Sequence, residues 1–273
     1  MTIPPALLIA GQGTSRDDTG SEAFRAFVRQ LEARRPELPV AGGLVEPSWP
    51  PLGDAVTELV ERGVRHVTAV PLTLLPAGHA QGGIRAALAR EQERHPGISY
   101  TYGPPLGSHP VLLDVLERRV DEALGGAAGR RPGDRADVTV LLVGPGSSDP
   151  DANAEVHRAA RLLWEGRGYA GVETAFASLA APDVPNGLDR CVRLGARRIV
   201  VLPYFLFTGV QPDRVRQATE GWAEAYPGIE VRSAGVIGPE PELLDLVWER
   251  YEEAAGGHHA PGHSHQGAHS HAH

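Results

Sequence analysis

The chain of 273 residues contains no lysine; all 26 basic residues are arginine. A Walker-type phosphate loop needs a lysine against the nucleotide phosphates, so the absence counts against P-loop nucleotide chemistry. The one-sided choice of base itself reads as genomic base bias. Cysteine is nearly absent too. Cys191 stands alone, which excludes an internal disulfide framework and fits a reducing compartment, the cytoplasm. No apolar run approaches the ~20 residues needed to span a bilayer. The short run Ala6–Ala10 lacks a basic lead and is not read as a signal peptide. Positive charge is in the minority: the net charge of −8 argues against nucleic acid as the main partner, while a local basic cleft for an anionic small molecule stays open.

What the chain has in plenty is itself. Ala6–Gly11 (ALLIAG) returns as Thr139–Gly144 (TVLLVG), Glu61–Leu75 returns as Arg193–Phe207, and Leu106–Ala123 returns as Ile237–Ala254. The offset drifts by only two residues, so one fold is used twice. Each copy alternates short apolar runs with amphipathic ones. In the first copy strands are expected at Ala6–Gly11, Leu38–Glu46, His66–Leu75 and Ile98–Tyr102. Helices are expected at Glu22–Arg34, Leu52–Arg62, Gly83–Arg94 and Pro110–Ala123, the last closing the unit. Continuous apolar strands alternating with helices imply parallel sheets covered on both faces. The expected fold class is therefore α/β: two tandem doubly wound domains, each with a four-stranded parallel sheet, related by internal duplication. The expected bounds are 1–124 and 138–255, joined by a linker at 125–137 (Gly125–Asp137, GGAAGRRPGDRAD) that lacks an apolar period.

Residues 256–273 differ in kind. They read GGHHAPGHSHQGAHSHAH and hold seven of the 12 histidines: His258, His259, His263, His265, His269, His271 and His273. With no core-forming residues the tail is expected to be disordered. Alternating histidine and small residues lets several imidazoles reach one soft or borderline metal ion. An expression tag and a solvated tail with incidental metal affinity are the plainer readings.

In open parallel sheets ligands sit beyond the carboxyl ends of the strands. In the first copy that edge carries Gly11-Gln12-Gly13-Thr14-Ser15-Arg16 after the first strand, Glu46 at the end of the second, and Gly78-His79-Ala80 after the third. The second copy has Pro145, Ser178 and Gln211 opposite Gln12, Glu46 and His79, so one half looks equipped and the other retired. Gly11-x-Gly13 lacks the third glycine of a dinucleotide fingerprint. His79 suits a neutral metal ligand or a proton acceptor, or caps the following helix. Glu46 ends an apolar strand, a costly place for a carboxylate unless it is paired or used. His66, His95 and His157 are read as surface residues, His109 as structural, and Cys191, opposite Leu59, as a core replacement.

These stretches together resemble the sirohydrochlorin cobaltochelatase family, the class II chelatases, in its long fused form. The matching segments are Leu7–Arg16 (LLIAGQGTSR), Val70–His79 (VPLTLLPAGH), Tyr102–Leu113, Leu141–Asn153 (LLVGPGSSDPDAN) and Arg197–Val210, within a resemblance covering roughly residues 5 to 255. The resemblance implies insertion of Co(II), Fe(II) or Ni(II), as substrate and without nucleotide, into sirohydrochlorin or a related reduced tetrapyrrole. It implies His79 and Glu46 as metal ligands and catalytic residues, with Gln12 where the family carries histidine in a His-Gly-Ser/Thr motif. The macrocycle's carboxylates call for arginine or backbone partners, and Arg16 and Arg85, with Thr14 and Ser15, are the candidates. Gln81, Gly82 and Gly83 stand where the family shows a basic and an acidic residue, and Pro145 where long forms commonly carry arginine. Two other readings stand beside this one. The first is a repurposed member using His79 and Glu46 as acid and base on another small molecule. The second is a non-catalytic metal or tetrapyrrole carrier working through the tail. A monomer or a homodimer is compatible with any of them, with no nucleic acid and no membrane partner.

Overall fold

A computed structural model describes residues 4–12, 18–45, 50–75, 79–126 and 132–256, with the backbone alone at 18–19, 79–81 and 132. The tail histidines, Glu46, Thr14, Ser15 and Arg16 fall outside the described residues. The first half runs β1 (Ala6–Gln12), α1 (Asp18–Arg34), β2 (Val40–Val45), α2 (Leu52–Glu61), β3 (His66–Pro71), α3 (His79–Arg94), β4 (Ser99–Tyr102) and α4 (Pro110–Ala123). The second repeats it with β5 (Val138–Gly144), α5 (Pro150–Trp164), β6 (Gly171–Phe176), α6 (Val184–Arg193), β7 (Arg198–Pro203), α7 (Val210–Ala225), β8 (Glu230–Ser233) and α8 (Pro241–Gly256). Each half forms a parallel four-stranded sheet, ordered β2-β1-β3-β4 and β6-β5-β7-β8, which is the duplicated α/β fold expected. No described helix is long and apolar enough to cross a membrane.

Alternation along the strands divides the interior into three cores. Leu7 and Ile9 of β1 point into a central layer with Phe24, Phe27 and Leu31 of α1, while Leu8 and Ala10 point outward to α2 and α3. In the second half Val140 and Leu142 face the same central layer, and Leu141 and Val143 face α6 and α7. The order of layers is thus helix, sheet, helix, sheet, helix, with α1, α4, α5 and α8 in the middle. Cys191 is fully buried in the outer core of the second half. Burial, reinforced by Glu173, pushes its thiol up to about 12, so it stays protonated and packs as the apolar replacement read from the sequence.

The middle layer holds a departure from expectation. Pro110–Ala123 forms a helix with the expected bounds, but it does not close its own unit. α4 packs against β7 and α5 of the second half, α8 packs against β3, β4 and α1 of the first, and the two helices pack against each other. The halves have exchanged their last helices. The pattern of apolar residues along α4 says which face is buried and is silent on which sheet receives it. Arg118 fastens the exchange by donating to Glu242 of α8 (2.9 Å) and to Glu240 just before it (3.0 Å).

The expected linker also differs from a bare spacer. Pro132–Arg135 forms a 3-10 turn, and Arg135, 2% exposed, is among the largest fully buried side chains. Its Nε and Nη2 donate to the two oxygens of Asp121 (2.9 and 2.6 Å), its Nη1 donates to Glu117, and Arg167 donates to the other Glu117 oxygen (2.8 Å). Asp121 is itself 3% exposed. Removing one partner of a buried pair strands the other charge in a low dielectric, which typically costs ~3–5 kcal/mol. Arg135→Met is therefore expected to lower unfolding stability by about 3 kcal/mol, read from the urea midpoint. Arg161→Met, which breaks an exposed pair with Glu165, should shift that midpoint by less than about 0.5 kcal/mol.

Half of the element ends in the first copy move, by one to four residues. α3 begins at His79 rather than Gly83, so Gly82 and Gly83 are taken into the helix despite their low helix propensity. β3 ends at Pro71 rather than Leu75: Leu72 N–H still bonds Ala10 O (2.8 Å), then Thr73 N–H turns back to Pro71 O (3.0 Å). The run Leu72–Leu75 is apolar because it forms a wall, not a strand.

Candidate active site

The chain leaves β1 toward the central layer through α1 and leaves β3 toward the outer face through α3. A crevice opens at the carboxyl ends where two such strands adjoin. β5 and β7 repeat the arrangement, the two crevices face each other, and a cavity of about 450 Å³ lies between the halves. That volume is in the range of small-molecule sites.

Gln12 is the last residue of β1, exposed, and on the cavity wall. It pairs in register with Val45, the last residue of β2, after which the chain continues to Glu46. His79 opens α3, at the same carboxyl edge of the sheet, following β3. Arg85 is not brought to the cavity with them. Its guanidinium stacks 4.0 Å from the ring centroid of Tyr102 at the end of β4. Among the described residues no group of three His, Cys, Asp or Glu side chains gathers. The remaining histidines are peripheral. His66 and His157 are exposed. The His95 ring reaches only Thr57 (3.4 Å), and His109 sits at the cap position of α4 facing Glu249 at 3.7 Å.

The wall carries polar groups that a reading of the loops missed. Thr73 Oγ1 is buried with no hydrogen-bond partner among the described residues. Tyr204, 1% exposed, lines the opposite wall. Its hydroxyl stands beside the Ser108 side chain without the alignment of a hydrogen bond. Orphaned hydroxyls of this kind ask for a ligand or water. Burial pushes the Tyr204 phenol up to about 12, so it stays a neutral donor. Tyr204 takes the place of Leu72 in the other copy: both N–H groups bond the matching strand, to Val143 O and Ala10 O at 2.8 Å. Comparing the copies at that pair, inside the repeated segment, would have exposed it.

Burial also raises the phenol of Tyr100 to about 12. An unfolded phenol ionises near pH 10, so these two groups favour the folded state below pH 10 and that contribution is lost as pH climbs toward 12. Absorbance at 295 nm should show their phenolate bands only together with loss of circular dichroism above pH 10. Ionisation of Tyr204 near pH 10 in folded protein would contradict its burial.

The second copy's edge is shut. Ser178 Oγ donates to Pro145 O (3.0 Å). Gly146 has φ +79°, and a Cβ there would lie 1.8 Å from Ser178 O, so only glycine allows the two loops to meet. The positions matching Gln12 and Glu46 are tied to one another, with Pro145 still on the cavity wall.

The CbiX family model matches residues 6–123 and again 139–254. The chain belongs to the CbiX family. The sirohydrochlorin cobaltochelatase of Priestia megaterium is 35% identical to this CbiX protein over 253 residues, spanning 92% of this chain and 80% of the relative. The solved structure of SirB from Bacillus subtilis with Fe3+ is 26% identical, covers 94% of this chain and 97% of its own, and superposes with a TM-score of 0.76. The sirohydrochlorin cobaltochelatase of Methanopyrus kandleri is 28% identical over 140 residues, which is 44% of this chain but 98% of that one. The CbiX fold thus occurs in curated relatives of half this length.

Proposed function

We propose that this CbiX protein inserts a divalent metal, cobalt or iron, into sirohydrochlorin, with the metal as substrate. The observation that carries the reading is the inter-half cavity at the β1 and β3 ends. It has one open polar edge with Gln12, Glu46 and His79 in sequence reach of it and one shut edge opposite.

The chemistry asks little of the protein beyond loose N/O ligation and a proton acceptor. The metal passes from protein ligands to four pyrrole nitrogens as two pyrrole N–H protons leave. Neutral His79 serves as ligand and acceptor, and Glu46 holds the metal or takes the second proton. Gln12 supplies only a carbonyl oxygen, which binds metal weakly and takes no proton near neutral pH. The tail histidines would gather metal near the protein. A second reading, a repurposed member acting on another small molecule, is favoured by the departures at Gln12, Gln81–Gly83 and Pro145.

An anaerobic absorbance titration of tail-trimmed protein with sirohydrochlorin, followed by Co(II), Fe(II) or Ni(II), tests the reading. A spectral shift on mixing, then metallation faster than in protein-free solution, supports it. Binding without acceleration indicates a tetrapyrrole carrier, and no shift at all sinks the tetrapyrrole reading.

A further inference from the structure

We infer that Leu179, on the shut side of the cleft, is a positioning residue that supports one face of the macrocycle; the inference rests on the tetrapyrrole reading above. Among the described residues Leu179 is the one residue other than glycine in the left-handed region, at φ +60°. That conformation is costly for a bulky side chain. Burial gives nothing back, since Leu179 is 82% exposed, the most exposed large apolar residue described. The residue lines the cavity, and the turn around it is braced. Ser178 holds Pro145 O, Ser178 O packs on Gly146, and Ala180 N–H returns to Ser178 O (2.6 Å). Strain that surrounding contacts over-determine is a mark of a functional position.

A strained leucine held out over a cavity is accounted for if a flat apolar surface covers it. The same half adds Leu206, Phe207 and Val210, all partly exposed, to the cavity lining, which also carries the polar Gln12, Ser147, Ser148 and Gln211. A tetrapyrrole offers a surface to each kind of group: an apolar ring face and a carboxylate rim. The second half thus keeps a part, holding the ring while the first half handles the metal.

Leu179→Gly separates binding from folding, because glycine accepts the φ and removes the side chain. Three readouts are used: the melting temperature, metal-free sirohydrochlorin affinity by absorbance titration, and the steady-state constants for Co(II) insertion. The expected result is an unchanged or higher Tm, affinity weaker by about tenfold, and a loss that falls in KM rather than in kcat. Leu179→Met, which keeps an apolar chain of similar volume, should retain wild-type affinity. Two results overturn the inference: a glycine variant that binds as tightly as wild type, or one whose Tm falls while affinity holds. If wild-type protein itself fails to bind sirohydrochlorin, the tetrapyrrole reading fails and this inference with it, an outcome distinct from wild-type and glycine proteins binding alike.

Discussion

His79→Ala is expected to slow metal insertion by about 100-fold or more, with sirohydrochlorin binding retained. Outer-sphere partners of metal ligands typically contribute ~10–100-fold, and a residue that itself ligates metal and accepts a proton should contribute at least as much. The family resemblance implies that this edge has one imidazole fewer, with Gln12 in the place of a histidine. The remaining one therefore has no understudy among the candidates except the Glu46 carboxylate. The same argument runs in reverse for Gln12→His, which is expected to raise the insertion rate by about tenfold. β1 ends in an exposed residue facing the cavity, so the larger ring meets no packed core there. The two variants are read together by anaerobic single-turnover metallation. A slow His79→Ala beside a fast Gln12→His supports a two-ligand edge. If His79→Ala inserts metal as fast as wild type, His79 is a loop residue at a helix start and the chelatase assignment of this edge is wrong. No gain from Gln12→His, with His79→Ala inactive, favours the repurposed-enzyme reading.

A chain ending at Gly238 is expected to lose the fold of both halves, including the first, every residue of which it still contains. α8 buries Leu243, Leu244, Leu246, Val247, Trp248 and Tyr251, and its neighbours are β3, β4 and α1. Each such side chain is worth ~1.5–3 kcal/mol on full burial. Their sum is comparable with the whole net stability of a domain, ~5–15 kcal/mol. The central face of β3 would be left bare. Hydrogen exchange of the Val67, Ala69 and Val70 amides provides the readout. Protection lost throughout β3 in the truncated chain confirms the exchange of helices, and protection kept shows that the first half closes on itself.

Much of this architecture could be read from the residues. Continuous apolar runs such as Val138–Gly144 are buried on both faces and announce parallel strands, and the repeat announces two copies. Boundaries failed where apolar character served something else: Leu72–Leu75 is as apolar as a strand and is a cavity wall. The helix exchange was not legible, because an amphipathic pattern fixes a buried face without naming its partner. Arg135 was hidden for a related reason. A charged residue in a glycine-rich segment reads as solvated, and only Asp121 and Glu117, 14 and 18 residues earlier in another element, make its burial affordable. At the site, loops chosen for histidine and carboxylate put Gln12 on the cavity wall, but Arg85 went to Tyr102. Thr73, Tyr204 and Leu179 carry residue types that no metal-ligand pattern flags.

The exchange of α4 and α8 also has a consequence for the order in which the protein is made. The first sheet leaves the ribosome with β4 complete, yet the helix that covers β3 and β4 on the central side is the last described element of the chain. At ~5–20 residues per second, roughly 6–27 s pass between the end of α4 and the completion of α8. Throughout that interval the nascent chain shows an open apolar sheet face, and α4 has no sheet to rest on until β7 is made. Folding of the first half thus waits for synthesis of α8, and the expressed protein should depend on chaperone capacity more than its small, cysteine-poor sequence would suggest.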